Sequence, residues 1–332
     1  MVILDLVRAV GAQPDGGVVE VAIPQPGDLE LARQWAERTG NTVVGASPET
    51  TGRRTVLVRR GRALDPALTL GADRMPGARL WIYTNFHCNL ACDYCCVASS
   101  PKAVKRELGA ELISRLAVQA ADWGVRELYL TGGEPFLLRD IAQIVGSCTA
   151  ALPTTMLTNG MLFRGHGLRA LQAMPRAGFA LQISLDSATP EIHDSHRGAG
   201  SWVRAVAGIR TATAEGFRVR VAATISTPTP VALQRFRQFL DTLDIPPDDQ
   251  IIRPVALQGA APSGVRLTRE TLVPEVTVTA DGIYWHPVAA TDERALVARQ
   301  IEPLAPVLDR VCALFAEQWA ATITVTSLFP CA

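Results

Sequence analysis

Four of the seven cysteines in this 332-residue chain fall in one run, His87-Cys88-Asn89-Leu90-Ala91-Cys92-Asp93-Tyr94-Cys95-Cys96. Cys88, Cys92 and Cys95 stand in a C-x3-C-x2-C pattern. Each gap is short enough for the chain to turn back to the same point. Three thiolates from one loop can therefore surround a single metal centre. The count of three matters. A closed iron–sulfur cluster wants four cysteines and a structural zinc wants four ligands, so three leave one iron with an open position. Cys96 follows Cys95 directly, and its side chain is expected to point elsewhere. On spacing alone the alternatives are a zinc knuckle completed by His87 or Cys96, or three inert core thiols.

The other three cysteines, Cys148, Cys312 and Cys331, are dispersed. An odd, uneven set argues against a secreted disulfide scaffold. Lys and Arg balance Asp and Glu at a formal net charge of +0, which excludes a nucleic-acid coat or polybasic membrane adaptor held by bulk electrostatics. A hydrophobic fraction of 48% with 19% charged residues fits a folded globular chain. No apolar run approaches the roughly 18 residues that span a bilayer. The N-terminal stretch carries Asp5 and Arg8 among its apolar residues and no small-residue cleavage site, so no signal peptide is expected. These readings point to a cytoplasmic protein with neither nucleic acid nor membrane as partner.

From about residue 79 to 258 the pattern alternates strand and helix. Strands are expected at 80–84, 126–130, 153–158, 179–186, 217–226 and 250–255. Helices are expected around 112–120, near Ile141, and at 168–174, 202–214 and 230–243. Six β/α repeats imply parallel strands with right-handed crossovers. Six are too few for a full eight-stranded barrel. The fold class is therefore α/β, a partial (β/α)6 TIM-type barrel, with a small α+β domain before it and a hairpin-plus-helix extension after it. Active sites in such barrels lie at the C-terminal ends of the strands, where Cys88, Gly133 and Asn159 fall.

The cysteine loop resembles the signature of the radical S-adenosylmethionine (radical SAM) superfamily, C-x3-C-x-aromatic-C, with Tyr94 at the aromatic position. Thr131-Gly132-Gly133-Glu134-Pro135, after the strand at 126–130, resembles the family segment that holds the SAM amino group. The Ile183-Ser184-Leu185-Asp186 strand resembles the one that contacts the SAM ribose and carboxylate. Strand parity points Gln182, Ser184 and Asp186 into the lumen, although Asp186 is equally readable as a cap before Thr189-Pro190. His193-Asp194-Ser195-His196-Arg197-Gly198 resembles a following H-D-x-x-R-G run. There Arg197 pairs either with the SAM carboxylate or with the loop's own acids, and the two histidines read as loop-folding groups. Thr224 is the site candidate of the next strand, Arg218 reads as a surface charge, and Arg253 as a substrate-anion ligand or a barrel ion pair. The resemblance implies one 4Fe-4S cluster on Cys88, Cys92 and Cys95, with SAM held near Tyr94, Gly132, Gly133, Glu134, Pro135, Ser184, Asp186, Arg197 and Thr224. It implies reductive SAM cleavage to a 5′-deoxyadenosyl radical that abstracts hydrogen from substrate, an oxygen-sensitive reaction fed by a one-electron donor such as flavodoxin or ferredoxin. No residue stands out as catalytic beyond these.

Residues 1–62 form a separate unit, with a helical stripe at Ile3, Leu6, Val7 and Val10, strands at 18–23, 42–46 and 55–59, and a helix at 28–39. This order resembles the TusA-like sulfur-carrier family without its opening strand and Cys-Pro pair. Residues 63–78 read as a linker. In 259–332, Asp281-Gly282 between alternating strands signals a hairpin. It resembles SPASM or twitch domains, but Cys312 and Cys331 alone are too few for their auxiliary cluster, so none is expected. Cys148 reads as a core thiol and Cys331 as part of a terminal tail. The expected substrate is a small molecule or a peptide. Peptide maturation or a sulfur-related radical reaction is the alternative, and a non-enzymatic zinc protein the distant one.

Overall fold

The computed structural model describes residues 2–23, 25, 27–47, 54–61, 65–226 and 228–321. Cys331 lies outside the described residues. The chain divides into two compact units.

The first unit contains α1 (Val2–Gly11), β1 (Val18–Ile23), α2 (Asp28–Arg38), β2 (Thr42–Ser47), β3 (Arg54–Arg59) and α3 (Pro66–Leu70). Its sheet is antiparallel in the order β1-β3-β2. Alternation on β1 and β3 turns Val21, Ile23, Val56 and Val58 to one face. Leu6 and Val10 of α1 and Trp35 of α2 close a core over that face.

The second unit builds a parallel run of six strands. In chain order it contains β4 (Arg79–Tyr83), α4 (Ala110–Trp123), β5 (Glu127–Thr131), α5 (Ile141–Ala151), β6 (Thr154–Thr158), α6 (His166–Ala173) and β7 (Phe179–Ser184). Then come α7 (Pro190–Arg197), α8 (Ser201–Ala214), β8 (Arg218–Thr224), α9 (Pro230–Asp241) and β9 (Gln250–Arg253). Helices cover the outer face. Ile113, Leu116, Ala117 and Ala120 of α4 are fully buried at helical spacing, and Gly124 ends that helix in the left-handed region at φ 107°. Trp81 stacks on Tyr129 at 4.5 Å between ring centroids, tying β4 to β5.

One feature departs from the sequence reading: the H-D-x-x-R-G run is not a loop but most of α7, which Pro190 opens and Gly198 follows. The hairpin of the C-terminal extension joins the barrel sheet. β10 (Thr277–Thr279) pairs in parallel with β4, and β11 (Gly282–Tyr284) and β12 (Leu296–Ala298) follow antiparallel. One nine-stranded sheet results, in the order β12-β11-β10-β4-β5-β6-β7-β8-β9. The open edge of β4 supplies the reason, because its unpaired N–H and C=O groups are a template for another strand. The final helix, α10 (Ala305–Ala321), follows Pro303 and Leu304. Its residues from Cys312 onward group with the first unit.

Candidate active site

The cysteine loop leaves the C-terminal end of β4. Its base is fixed by the loop after β5: the Gly133 amide donates to Asn85 O at 2.9 Å, and the Glu134 amide to His87 O at 3.0 Å. The Asn85 side-chain amide donates back to Glu134 O at 3.1 Å. This close crossing explains the glycine pair. A Cβ on Gly133 would stand 2.0 Å from His87 O, and one on Gly132, whose φ is +156°, 2.5 Å from Asn85 O. The glycines therefore let two backbones meet, in addition to opening the cavity wall.

Glu134 does not face the cavity. Its carboxylate is buried and accepts the Phe136 amide (3.0 Å), the Thr158 hydroxyl (2.7 Å) and the Asn159 amide (2.8 Å). Burial pushes this carboxyl up, against those three hydrogen bonds. Its side chain and Pro135 thus act on loop shape, while Gly132 and Gly133 line the cavity.

That cavity is open at its mouth, and its empty space, counted out into the adjoining open solvent, is about 1030 Å³. Cys88, Cys92, Cys95 and Tyr94 lie along it with Thr158, Asn159, Ser184, Arg197 and Thr224 from the later strands and α7. Trp81, Tyr83, Val97, Arg253, Pro254, Pro287 and Val288 complete the wall. Cys96 also lines it, contrary to the expectation that its side chain points away. The chain turns at Cys96 and Val97, closed by the Ala98 amide on Cys95 O at 3.0 Å, and consecutive cysteines face one space. Cys96 lies on the side of Tyr83, with its sulfur 4.0 Å from the Tyr83 hydroxyl.

Asp186 is likewise placed differently from the lumen-facing ligand that strand parity suggested. The strand ends at Ser184, and beyond it the side chain is taken by protein partners. Its carboxylate accepts Arg197 Nε (2.7 Å) and a terminal Arg197 nitrogen (3.3 Å), the Thr224 amide (3.0 Å) and the Tyr94 hydroxyl. Burial alone would raise this carboxyl, but the Arg197 guanidinium and the hydrogen bonds hold it below the usual carboxylate range. The same guanidinium sits 5.3 Å from the Tyr94 ring centre. Asp186, Arg197 and Tyr94 together form a buried latch between the cysteine loop and the ends of β7 and β8. Arg197 still touches the cavity.

Beneath the latch, His193 Nδ1 accepts the Asp186 amide at 3.2 Å. Burial, then the Arg197 charge, push His193 down to about 4, so the ring is neutral. His196 contacts Asp93 at 3.0 Å on the exposed side of the cysteine loop. Both histidines are structural in this geometry. Arg218 forms a two-point contact with Asp249 (3.1 and 2.7 Å) away from the cavity. Arg253 donates from Nε to Thr224 Oγ1 at 3.0 Å and lines the cavity. The sequence left Arg253 open between a substrate-anion ligand and a barrel ion pair; at the C-terminal end of β9 it stands in the cavity wall.

Backbone amides already point at two of the three sulfurs. Leu90 N–H donates to Cys88 Sγ at 3.4 Å, and Ser99 N–H to Cys95 Sγ at 3.3 Å. Burial pushes the Cys92 thiol up, with the Arg197 charge working against that shift. Burial pushes the Cys88 thiol up to about 12, as expected of thiols whose protons only a metal displaces. Among the described residues no three His, Cys, Asp or Glu side chains converge on one ion. Thiols spread around a cavity suit a cluster that offers each a separate iron, and suit a single zinc poorly.

This fold and this cysteine cavity define a radical SAM domain. Residues 82–243, just under half of the chain, match the family model described as the Radical SAM superfamily, so this segment is a domain of that superfamily. Its members use a 4Fe-4S cluster and SAM, which the donor set here fits. The chain is 39% identical over 141 residues to molybdenum cofactor biosynthesis protein 1 of Drosophila melanogaster, covering 40% of this chain and 24% of that protein. It is 34% identical over 140 residues to the antilisterial bacteriocin subtilosin biosynthesis protein AlbA of Bacillus subtilis, covering 42% and 31%. It thus spans less than a third of the length of either relative. The solved structure of native anSMEcpe with bound AdoMet superposes with a TM-score of 0.54 at 12% identity, covering 69% of this chain and 80% of that one, a likeness of fold. Among the described residues no helix is long and apolar enough to cross a membrane.

Proposed function

We propose that this chain is a radical SAM enzyme acting on a small molecule or a peptide. The observation that carries this reading is one cavity lined by Cys88, Cys92 and Cys95 on one side and by Gly133, Asn159, Ser184, Arg197 and Thr224 on the other. When bound, the cluster and SAM supply one-electron cleavage of a C–S bond and a carbon radical able to take hydrogen from an unactivated C–H.

The chain's own residues do the rest. Cys88, Cys92 and Cys95 hold the cluster, with the Leu90 and Ser99 amides and the Arg197 charge favouring the thiolates. Tyr94, latched through Asp186, fixes the loop between the second and third ligands. Gly132 and Gly133 offer backbone groups to the SAM amino end, while Ser184, Arg197 and Thr224 offer polar groups to its ribose and carboxylate. Glu134 and Pro135 keep the adjoining loop in shape. Trp81, Tyr83, Pro287 and Val288 form an apolar wall that excludes water from a reactive centre. Arg253 is the cation of that end of the cavity, and it suits a substrate carrying an acidic group. Peptide substrates stay within the proposal because relatives bear names such as PqqA peptide cyclase. In this reading the first unit recognises substrate or a partner. The protein works in the cytoplasm, and a flavodoxin- or ferredoxin-type donor supplies the electron.

Anaerobic reconstitution with iron and sulfide tests the reading. About four irons per chain are expected. Release of 5′-deoxyadenosine should follow on adding dithionite and SAM. Stoichiometric zinc with no SAM cleavage refutes it.

A further inference from the structure

Ser99 sits on the turn that carries the loop away from Cys95. It lines the cavity and is only 6% exposed. Its amide donates to Cys95 Sγ at 3.3 Å. Its hydroxyl, screened from solvent, has no hydrogen-bond partner among the described residues. A buried hydroxyl without a partner is destabilising, because it has given up its hydrogen bonds to water for none in the protein. Among the neighbouring polar groups, Thr158 bonds with Glu134, Asn159 with Asn89 and the Met161 amide, and Thr224 with Arg253. Ser99 brings to the thiol edge of the cavity a donor with no acceptor among the described residues.

We infer that the Ser99 hydroxyl donates to the cluster at its Cys95 corner, and that this bond raises the cluster's reduction potential. The inference rests on the function proposed above. The covalent tie between the Ser99 amide, already on Cys95 Sγ, and its own side chain keeps the hydroxyl at that corner. Sulfur bound to iron carries negative charge, and a reduced cluster carries more of it. A donor at that sulfur stabilises the reduced form most. The Cys88 corner has one amide donor and the Cys92 corner has the Arg197 charge. The Cys95 corner would have two donors from one residue. Ser99 is thus a positioning residue for electrons. It sets how readily the centre is reduced without touching substrate.

The experiment is an EPR-monitored redox titration of the reconstituted full chain without SAM, comparing wild type with Ser99→Ala, Ser99→Gly and Ser99→Thr. At a fixed potential the reduced-to-oxidised ratio should fall about tenfold in Ser99→Ala and Ser99→Gly, equivalent to about 59 mV for one electron. Ser99→Thr, which keeps the hydroxyl, should titrate like wild type. Iron analysis accompanies each variant. Unchanged midpoints in Ala or Gly variants that hold a full cluster overturn the inference. So does a change seen only after SAM is added, which would make SAM the partner of the hydroxyl. If wild type itself fails to take up iron, the proposed function fails, a different result from an unmoved potential. If Ser99→Ala alone loses iron, the glycine variant, which adds no methyl to the cavity, decides.

Discussion

The Asp186–Arg197 pair offers a sharp test of how the loop is held. The Asp186 side chain is 1% exposed and that of Arg197 is 8% exposed. Replacing Asp186 by Asn keeps the shape but removes the charge, leaving a buried guanidinium uncompensated. Breaking such a pair costs about 3–5 kcal/mol. For a unit of this size, roughly 2–4 °C are lost per kcal/mol, so the thermal midpoint should fall by about 10 °C. Tyr94→Phe removes one hydrogen bond to the carboxylate and leaves the ion pair intact, so about 1.5–3 kcal/mol is expected. Removing both charges, as in Asp186→Asn with Arg197→Met, leaves no stranded charge. The double variant should therefore be more stable than the sum of the single losses predicts, by about 2 kcal/mol. Urea denaturation followed by circular dichroism measures the wild type, Asp186→Asn, Arg197→Met, the double variant and Tyr94→Phe, and iron retention reports the loop. Simple additivity of the two single losses refutes the buried-pair reasoning. Tyr94→Phe destabilised as much as Asp186→Asn would also refute it.

Other consequences follow from the same geometry. Cys92→Ala should abolish iron binding while Cys96→Ala leaves about four irons per chain, read by iron and sulfide analysis; iron loss in Cys96→Ala would overturn the ligand set. Gly133→Ala should cost about 3 kcal/mol or more and strip the cluster, because its Cβ would stand 2.0 Å from a backbone oxygen that has no room to yield. Acid should weaken the barrel before the carboxylates titrate. Unfolded histidine gains its proton below about pH 6.5, but burial, together with the Arg197 charge at His193, pushes His193 down to about 4, and burial pushes His286 down to about 3. The unfolded chain binds more protons in that window, so stability is lost as pH falls from about 6.5 towards 4. Each ring contributes a slope of up to about 1.4 kcal/mol per pH unit. Urea midpoints from pH 7.5 to 4.5 measure the slope, and His286→Asn should reduce it by one ring's share.

The cysteine spacing and the β/α alternation were legible because both are local. Thiols at short gaps must meet, and strand and helix periodicities appear within a dozen residues. The same holds for the glycine pair and for the Asp281-Gly282 hairpin, whose turn occupies adjacent positions. What sequence could not give was the partner of each polar side chain. Asp186 and Tyr94 are 92 residues apart, yet their side chains meet in the latch. Parity turned Asp186 towards the lumen, but a carboxylate buried beside a guanidinium takes the ion pair instead. Cys96 joins the cavity because the turn through Cys96 and Val97, closed by the Ala98 amide on Cys95 O, lets consecutive cysteines face one space. The extension joined the barrel sheet because β4 offered an open edge, a property of assembled strands and not of any one of them. The chain's own order of residues thus determined that three thiols gather at the mouth of a partial barrel. Tertiary structure decided which charges neutralise one another there, and left the Ser99 hydroxyl beside them without a partner among the described residues, because burial and pairing depend on neighbours far away in sequence.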